Sequence, residues 1–148
     1  MVMMIRKSNI SDLDDLAGLF NDYRIFYGQG TDIEKAKGFL KDRLTKNESV
    51  VFVAFAGDSM AGFVQLYPVF SSVTMKKRWL LNDLFVKEEF RGRGFSIALI
   101  EPAKELCRQT GASGFVLETA KTNIIGNRLY QKLNLHLDTE YNTYSWDI

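Results

Sequence analysis

The chain has 148 residues, 46% of them hydrophobic and 25% charged, the size and balance of one globular domain. A formal net charge of +1 excludes a global field that would draw it onto nucleic acid or a membrane, so any anion site must be local. Cys107 is the single cysteine and His136 the single histidine, which excludes an intrachain disulfide and a zinc site of the usual kind.

Met3 to Lys7 reads as a first strand. Ser11 has the character of an N-cap, with Asp12, Asp14 and Asp15 suited to the positive end of a helix whose apolar face is Leu13, Leu16, Leu19 and Phe20. The stretch RIFYGQG, residues 24–30, breaks that spacing. Thr31 and Glu34 form a capping-box pair for a second helix, with Ile33, Ala36, Leu40 and Leu44 along its stripe. Val50 to Ala56 is nearly all apolar, as in a strand covered on both faces. Gly57-Asp58 signals a tight turn, and Met60 to Tyr67 answers as the partner strand. Residues 68–78 are expected to be a loop and Trp79 to Val86 a further strand.

A long helix carries Ile97, Ile100, Ala103, Leu106 and Cys107 and is stopped by Gly111. Pro102 lies inside it, removes one donor and is expected to bend it. Phe115 to Thr119 is the next strand, and Asn123 caps a short helix with Leu129, Tyr130 and Leu133. Asn134 suits a left-handed turn after that helix, and residues 135–147 read as two closing strands bearing Tyr141, Tyr144 and Trp146. The whole is a mixed α/β domain spanning 1–148, with four helices on one central, mostly antiparallel sheet of about seven strands, split in its middle.

The segment LNDLFVKEEFRGRGFSIALI, residues 81–100, concentrates the chemistry. Gly92 and Gly94 allow a tight turn and leave backbone N–H groups unshielded, and the next helix brings its positive end to the same place. Arg91 and Arg93 add local positive charge. Such a cradle suits a pyrophosphate; an ordinary glycine turn or a nucleic-acid contact through RGRG would use the same residues. The loop lacks the ending of a Walker motif and the spacing of a dinucleotide fingerprint.

This segment resembles the coenzyme-A loop of the GNAT superfamily of N-acetyltransferases. The family pattern, Gln/Arg-x-x-Gly-x-Gly/Ala after a strand of the form Leu-x-Asp-Leu-x-Val, is met by Arg91, Gly92, Arg93, Gly94, Phe95 and Ser96 after Leu81-Asn82-Asp83-Leu84-Phe85-Val86. Ser96 stands where Gly or Ala is usual. A second pattern, Asn-x-x-Ala-x-x-Leu-Tyr, is met by Asn123 to Tyr130, with Gly126 in place of Ala. The element order matches the family's fold over nearly the whole chain, and LNDLFV, YPVFSS and YNTYSWD resemble the branch acting on small amines, amino acids or histone tails.

The resemblance implies transfer of an acetyl group from acetyl-CoA to a primary amine by direct attack on the thioester, with no metal. It implies that Leu84, Phe85 and Val86 offer backbone groups to the pantetheine arm, and that the Leu84 N–H polarises the acetyl carbonyl. Residues 91–96 would hold the pyrophosphate, Asn123 would bond the coenzyme arm, and Tyr130 would protonate the leaving thiolate. Asp83 and Glu118 are the candidate bases; some polyamine-acetylating relatives carry a carboxylate where this chain has Asn82. The acceptor is expected between residues 22–30, with Tyr23, Phe26 and Tyr27 as an aromatic wall, and the 68–78 loop. A small amine or amino acid is favoured over a protein lysine, with a non-catalytic acyl-CoA-binding module as the alternative from another class. A cytoplasmic location, no membrane or nucleic-acid partner, and a homodimer paired through the closing strands complete the expectation.

Overall fold

The computed structural model describes residues 2–148. The chain forms two compact units, Met1–Leu117 and Glu118–Ile148. The first holds a five-stranded sheet in the order β1 (Met3–Lys7), β2 (Val50–Ala56), β3 (Ser59–Ser71), β4 (Lys76–Val86), β5 (Phe115–Val116). Successive pairs are antiparallel except β4 and β5, which run parallel. The sheet is therefore mixed and mostly antiparallel, as expected, but has five strands rather than about seven. The missing pair is the closing one: residues 135–148 carry no regular element, and Tyr141, Tyr144 and Trp146 are 80%, 88% and 85% exposed.

Helices α1 (Leu13–Phe26) and α2 (Ile33–Thr45) cover one face of the sheet, and α3 (Phe95–Gln109) the other. Their cores are distinct. Leu16, Leu19, Phe20 and Leu40 meet Val51, Val53, Phe63 and Phe85 on the first face. Phe95, Leu99, Ala103 and Cys107 meet Ala54, Val64, Leu66, Trp79, Leu81 and Val86 on the second. Strands buried on both sides need near-continuous apolar sequence, which is what VVFVAFA and MAGFVQLY supply. Burial raises the Cys107 thiol pKa, as befits a core thiol.

Local chemistry revises several boundaries. Asn9, not Ser11, opens the first helical segment: its Oδ1 accepts from the Ser11 N–H at 2.9 Å, and Asp12 Oδ2 accepts from the Asn9 N–H at 2.8 Å. Helix α1 runs through Arg24 and Ile25 to Phe26, because the aromatic residues pack on Phe85 and on each other. Asp32, not Thr31, caps α2 by accepting from the Lys35 N–H at 3.0 Å. Thr31 is taken up elsewhere: buried Asn21 donates to its hydroxyl at 3.0 Å and accepts from the Asp32 N–H at 2.9 Å, fixing the turn between α1 and α2.

The expected loop at 68–78 is mostly strand. β3 continues to Ser71, β4 begins at Lys76, and only residues 72–75 turn, with Met75 at φ +53°. At the other end, the 115–119 strand shortens to Phe115–Val116. Pro102 lies within α3 without ending it. In the second unit α4 (Ile124–Lys132) opens on Asn123, whose Oδ1 accepts from the Gly126 N–H at 3.1 Å, and closes before Asn134 at φ +59°, as expected.

Candidate active site

The site grows out of a defect in β4. Gln65 pairs with Asp83 but Leu66 pairs with Leu81, so Asn82 is an extra residue, a β-bulge. A bulge reverses which side chains face which way. Before it, Trp79 and Leu81 point to the α3 face; after it, Leu84 and Val86 do. Asp83 and Phe85 are thereby turned to the α1–α2 face.

Backbone groups follow the same parity. The Lys87 N–H donates to the Ala61 carbonyl at 2.8 Å, so in this antiparallel ladder residues 83, 85 and 87 address β3. The N–H and C=O of Leu84 and Val86 therefore point away from β3, toward the β5 side. There the ladder covers only Trp79 with Phe115 and Leu80 with Val116. Among the described residues no strand pairs with residues 81–86 on that side.

The loop after β4 lies at the end of that unpaired stretch. Gly92 and Gly94 adopt φ +74° and +86°, and a Cβ added at either would meet nothing within 4 Å. Gly94 is the N-cap of α3, so the positive end of a fifteen-residue helix begins at this turn. Phe95 is 1% exposed and Leu99 fully buried, which anchors the helix and with it the loop. Arg91 is engaged locally: its Nε donates to the Val86 carbonyl at 2.9 Å, and its guanidinium lies 5.5 Å from both the Phe26 and Phe85 rings. Arg93 lies 5.9 Å from the Phe90 ring. Ser96 is partly exposed in the first turn of α3.

On the α1–α2 face is a cavity of about 300 Å³ lined by Phe20, Tyr23, Arg24, Lys35, Ala36, Phe39, Tyr67, Asn82 and Asp83. Tyr23 is the member of the expected aromatic wall that lines it; Phe26 and Tyr27 are exposed. No residue of 68–78 lines it, since that stretch is spent on the hairpin.

Asp83 is 2% exposed and ends a polar chain through the sheet. The Ser49 hydroxyl donates to Gln65 Oε1 at 2.8 Å, Gln65 Nε2 donates to Asp83 Oδ2 at 2.6 Å, and Asn82 Nδ2 donates to Oδ1 at 2.8 Å. The Tyr23 hydroxyl donates to the Asn82 carbonyl at 3.4 Å. Burial pushes the Asp83 carboxyl above its ordinary value, while the bonds from Gln65 and Asn82 pull it back. The Tyr23 and Tyr67 hydroxyls are raised by burial and then by the nearby Asp83 charge. Arg24 lies within the expected 22–30 stretch, whereas Gln65, Tyr67 and Lys35 escaped the sequence reading. The usable signal was Gln65, a polar residue inside the apolar run MAGFVQLY: such a residue buried in a strand must have a partner.

The second unit holds the remaining candidates. Asn123 is committed on both ends, since its Nδ2 also donates to the Thr119 hydroxyl at 2.9 Å. Tyr130 is half-buried on α4, and Glu118 is exposed. No helix of the described residues is long and apolar enough to cross a membrane, and no cluster among them is arranged to hold a metal.

Residues 14–135 match the model of the acetyltransferase (GNAT) family, and the chain belongs to that family. It is 40% identical over 146 residues to the uncharacterised N-acetyltransferase YhfO of Bacillus subtilis, covering 99% of this chain and 98% of that one. A probable acetyltransferase of Haemophilus influenzae is 35% identical over 120 residues, covering 80% and 82%. The crystal structure of a probable acetyltransferase superposes with a TM-score of 0.92 at 36% identity, over 98% of this chain and 97% of that one.

Proposed function

We propose that this acetyltransferase takes acetyl-CoA as donor and transfers the acetyl group to the primary amine of a small molecule held in the α1–α2 cavity. The observation that carries the reading is the open edge of β4, where Leu84 and Val86 turn their backbone groups away from β3 and meet no ladder beyond Leu80. An extended pantetheine arm with its two amides is a strand-like partner for such an edge. Phe85 faces away from that edge, into the α1–α2 core, so in this reading it contributes backbone only. The pyrophosphate is assigned to the unshielded N–H groups of 91–96 and the start of α3.

Amine attack on a thioester places charge on the carbonyl oxygen. A fixed N–H such as that of Leu84 stabilises it in the transition state more than in the ground state. Asp83 is the base of choice, because it lines the cavity and its raised pKa brings it nearer to an amine's needs than an ordinary carboxylate. Tyr130 keeps the role of acid, and Asn123 that of a coenzyme contact, by their places in the family pattern. We assign the protein to the cytoplasm.

Calorimetry with acetyl-CoA, followed by thiol release with amines, amino acids and lysine peptides, tests this. The expected result is binding plus release with small acceptors. Binding without release across the panel would make the chain a coenzyme-binding module instead.

A further inference from the structure

The acceptor cavity is electrically lopsided. From β4 it is lined by Asp83, which is buried, and Asn82, which is exposed. Its outer side carries Arg24 on α1, half-buried, and Lys35 on α2, exposed. Neither cation forms an ion pair among the described residues. The Arg24 guanidinium makes one long bond, Nη1 to the Gly30 carbonyl at 3.4 Å. Glu34, next to Lys35 in sequence, forms no ion pair with it, and Asp32, three residues away, has its Oδ1 committed to capping α2. The rings of Phe20, Tyr23, Phe39 and Tyr67 line it as well.

We infer that the acceptor is a small amine that also carries an anionic group, a carboxylate or a phosphate monoester. This rests on the reading that the cavity receives the acceptor. The amine goes to Asp83 and the Asn82 carbonyl, which accept hydrogen bonds from its N–H groups. The anion goes to Arg24 and Lys35, which lack a partner for their charge, and a short apolar or planar body spans the rings. About 300 Å³ is room for roughly ten water-sized groups, the scale of an amino acid or an amino phosphate. A polyamine is disfavoured by the same charges, because its second ammonium would face two cations.

The test is thiol release with matched pairs: phenylalanine against phenethylamine, 4-aminobutyrate against 4-aminobutyramide, phosphoethanolamine against ethanolamine, with spermidine and a lysine peptide alongside. The carboxylate and phosphate arms decide which anion is read. The expected kcat/KM is roughly 10- to 100-fold higher for the anionic member, the range of a charge-assisted hydrogen bond or two. Arg24→Gln and Lys35→Gln should each shrink that ratio through KM. Lys41→Gln, exposed on the same helix and away from the cavity, should leave it alone. Equal or better use of the neutral members, spermidine or the peptide would overturn the inference and leave the acetyltransferase reading standing. So would a ratio that survives the Arg24→Gln, Lys35→Gln double variant. Bound acetyl-CoA with no release from any acceptor would overturn both.

Discussion

Single side chains separate binding from chemistry. Tyr130→Phe removes one hydroxyl and little volume, so acetyl-CoA affinity should stay within about twofold. If that hydroxyl protonates the leaving thiolate, turnover should fall roughly 10²- to 10⁴-fold, which thiol release measures on the best acceptor. Full turnover would mean that the thiolate departs unaided. Gly94→Val should act oppositely. The position holds φ +86°, which a β-branched residue rarely adopts, and it is the N-cap of α3. Space is not the obstacle there, since an added Cβ meets nothing; the strain in the turn is. Coenzyme affinity by calorimetry should drop at least tenfold, and unimpaired binding would remove the loop from the reading.

At the scale of elements, what could be read from the sequence was what local chemistry decides. Apolar runs gave β2 and the hairpin turn at Gly57-Asp58, observed at φ +59° between paired Ala56 and Ser59. Helical spacing gave all four helices. Misreadings fell where contacts distant in sequence decide. Residues 68–71 and 76–78 look like loop, yet each pairs across the hairpin. The N-caps moved by one or two residues because Asn9 and Asp32 outcompeted neighbours of equal propensity. The bulge at Asn82, which turns Asp83 toward the cavity, has no local signature in LNDLFV. Gly62 is the case where element packing sets a residue that spacing alone would not. A Cβ there would lie 2.7 Å from the Phe85 carbonyl oxygen and 3.3 Å from Leu99 Cδ1, so β3, β4 and α3 close on it. Gly62→Ala should destabilise by about 1–3 kcal/mol, the usual cost of overpacking, in urea unfolding. A neutral substitution would mean that α3 can lift off the sheet freely. Gly126 is similarly tight: a Cβ would lie 2.5 Å from Asn123 Nδ2, so the alanine usual in the family would displace the cap that Asn123 makes here.

Across the whole molecule, two buried carboxylates give stability opposite slopes with pH. Asp12 is held by Arg6 in a two-pronged pair, both contacts 2.8 Å, and by the Asn9 N–H; the Arg6 bond is the main reason its pKa falls below the ordinary 3.8. A depressed carboxyl contributes stability that is present above 3.8 and lost as pH falls through its folded value. Asp83 is the reverse. Its folded pKa lies above 3.8, so the folded state binds more protons than the unfolded one just above that pH. Its contribution is present below 3.8 and lost as pH rises through the folded value. Urea unfolding from pH 3 to 8 should therefore show two signatures. The advantage of the wild type over Asp12→Asn should shrink toward the acid end, because the charge that Arg6 holds disappears. Relative to Asp83→Asn, the wild type should lose ground as pH rises above 3.8, since only it must ionise a group inside the sheet. The level of that second comparison is set by Gln65 and Asn82, which donate to different oxygens of the carboxylate, so that one of them would confront an amide N–H in the variant. Its slope is set by the proton alone. Parallel curves for Asp83→Asn and wild type would show that the carboxyl titrates as an exposed one does. They would also remove the reason for choosing Asp83 as the base, because a carboxylate of ordinary pKa draws a proton from an ammonium no better than any on the surface.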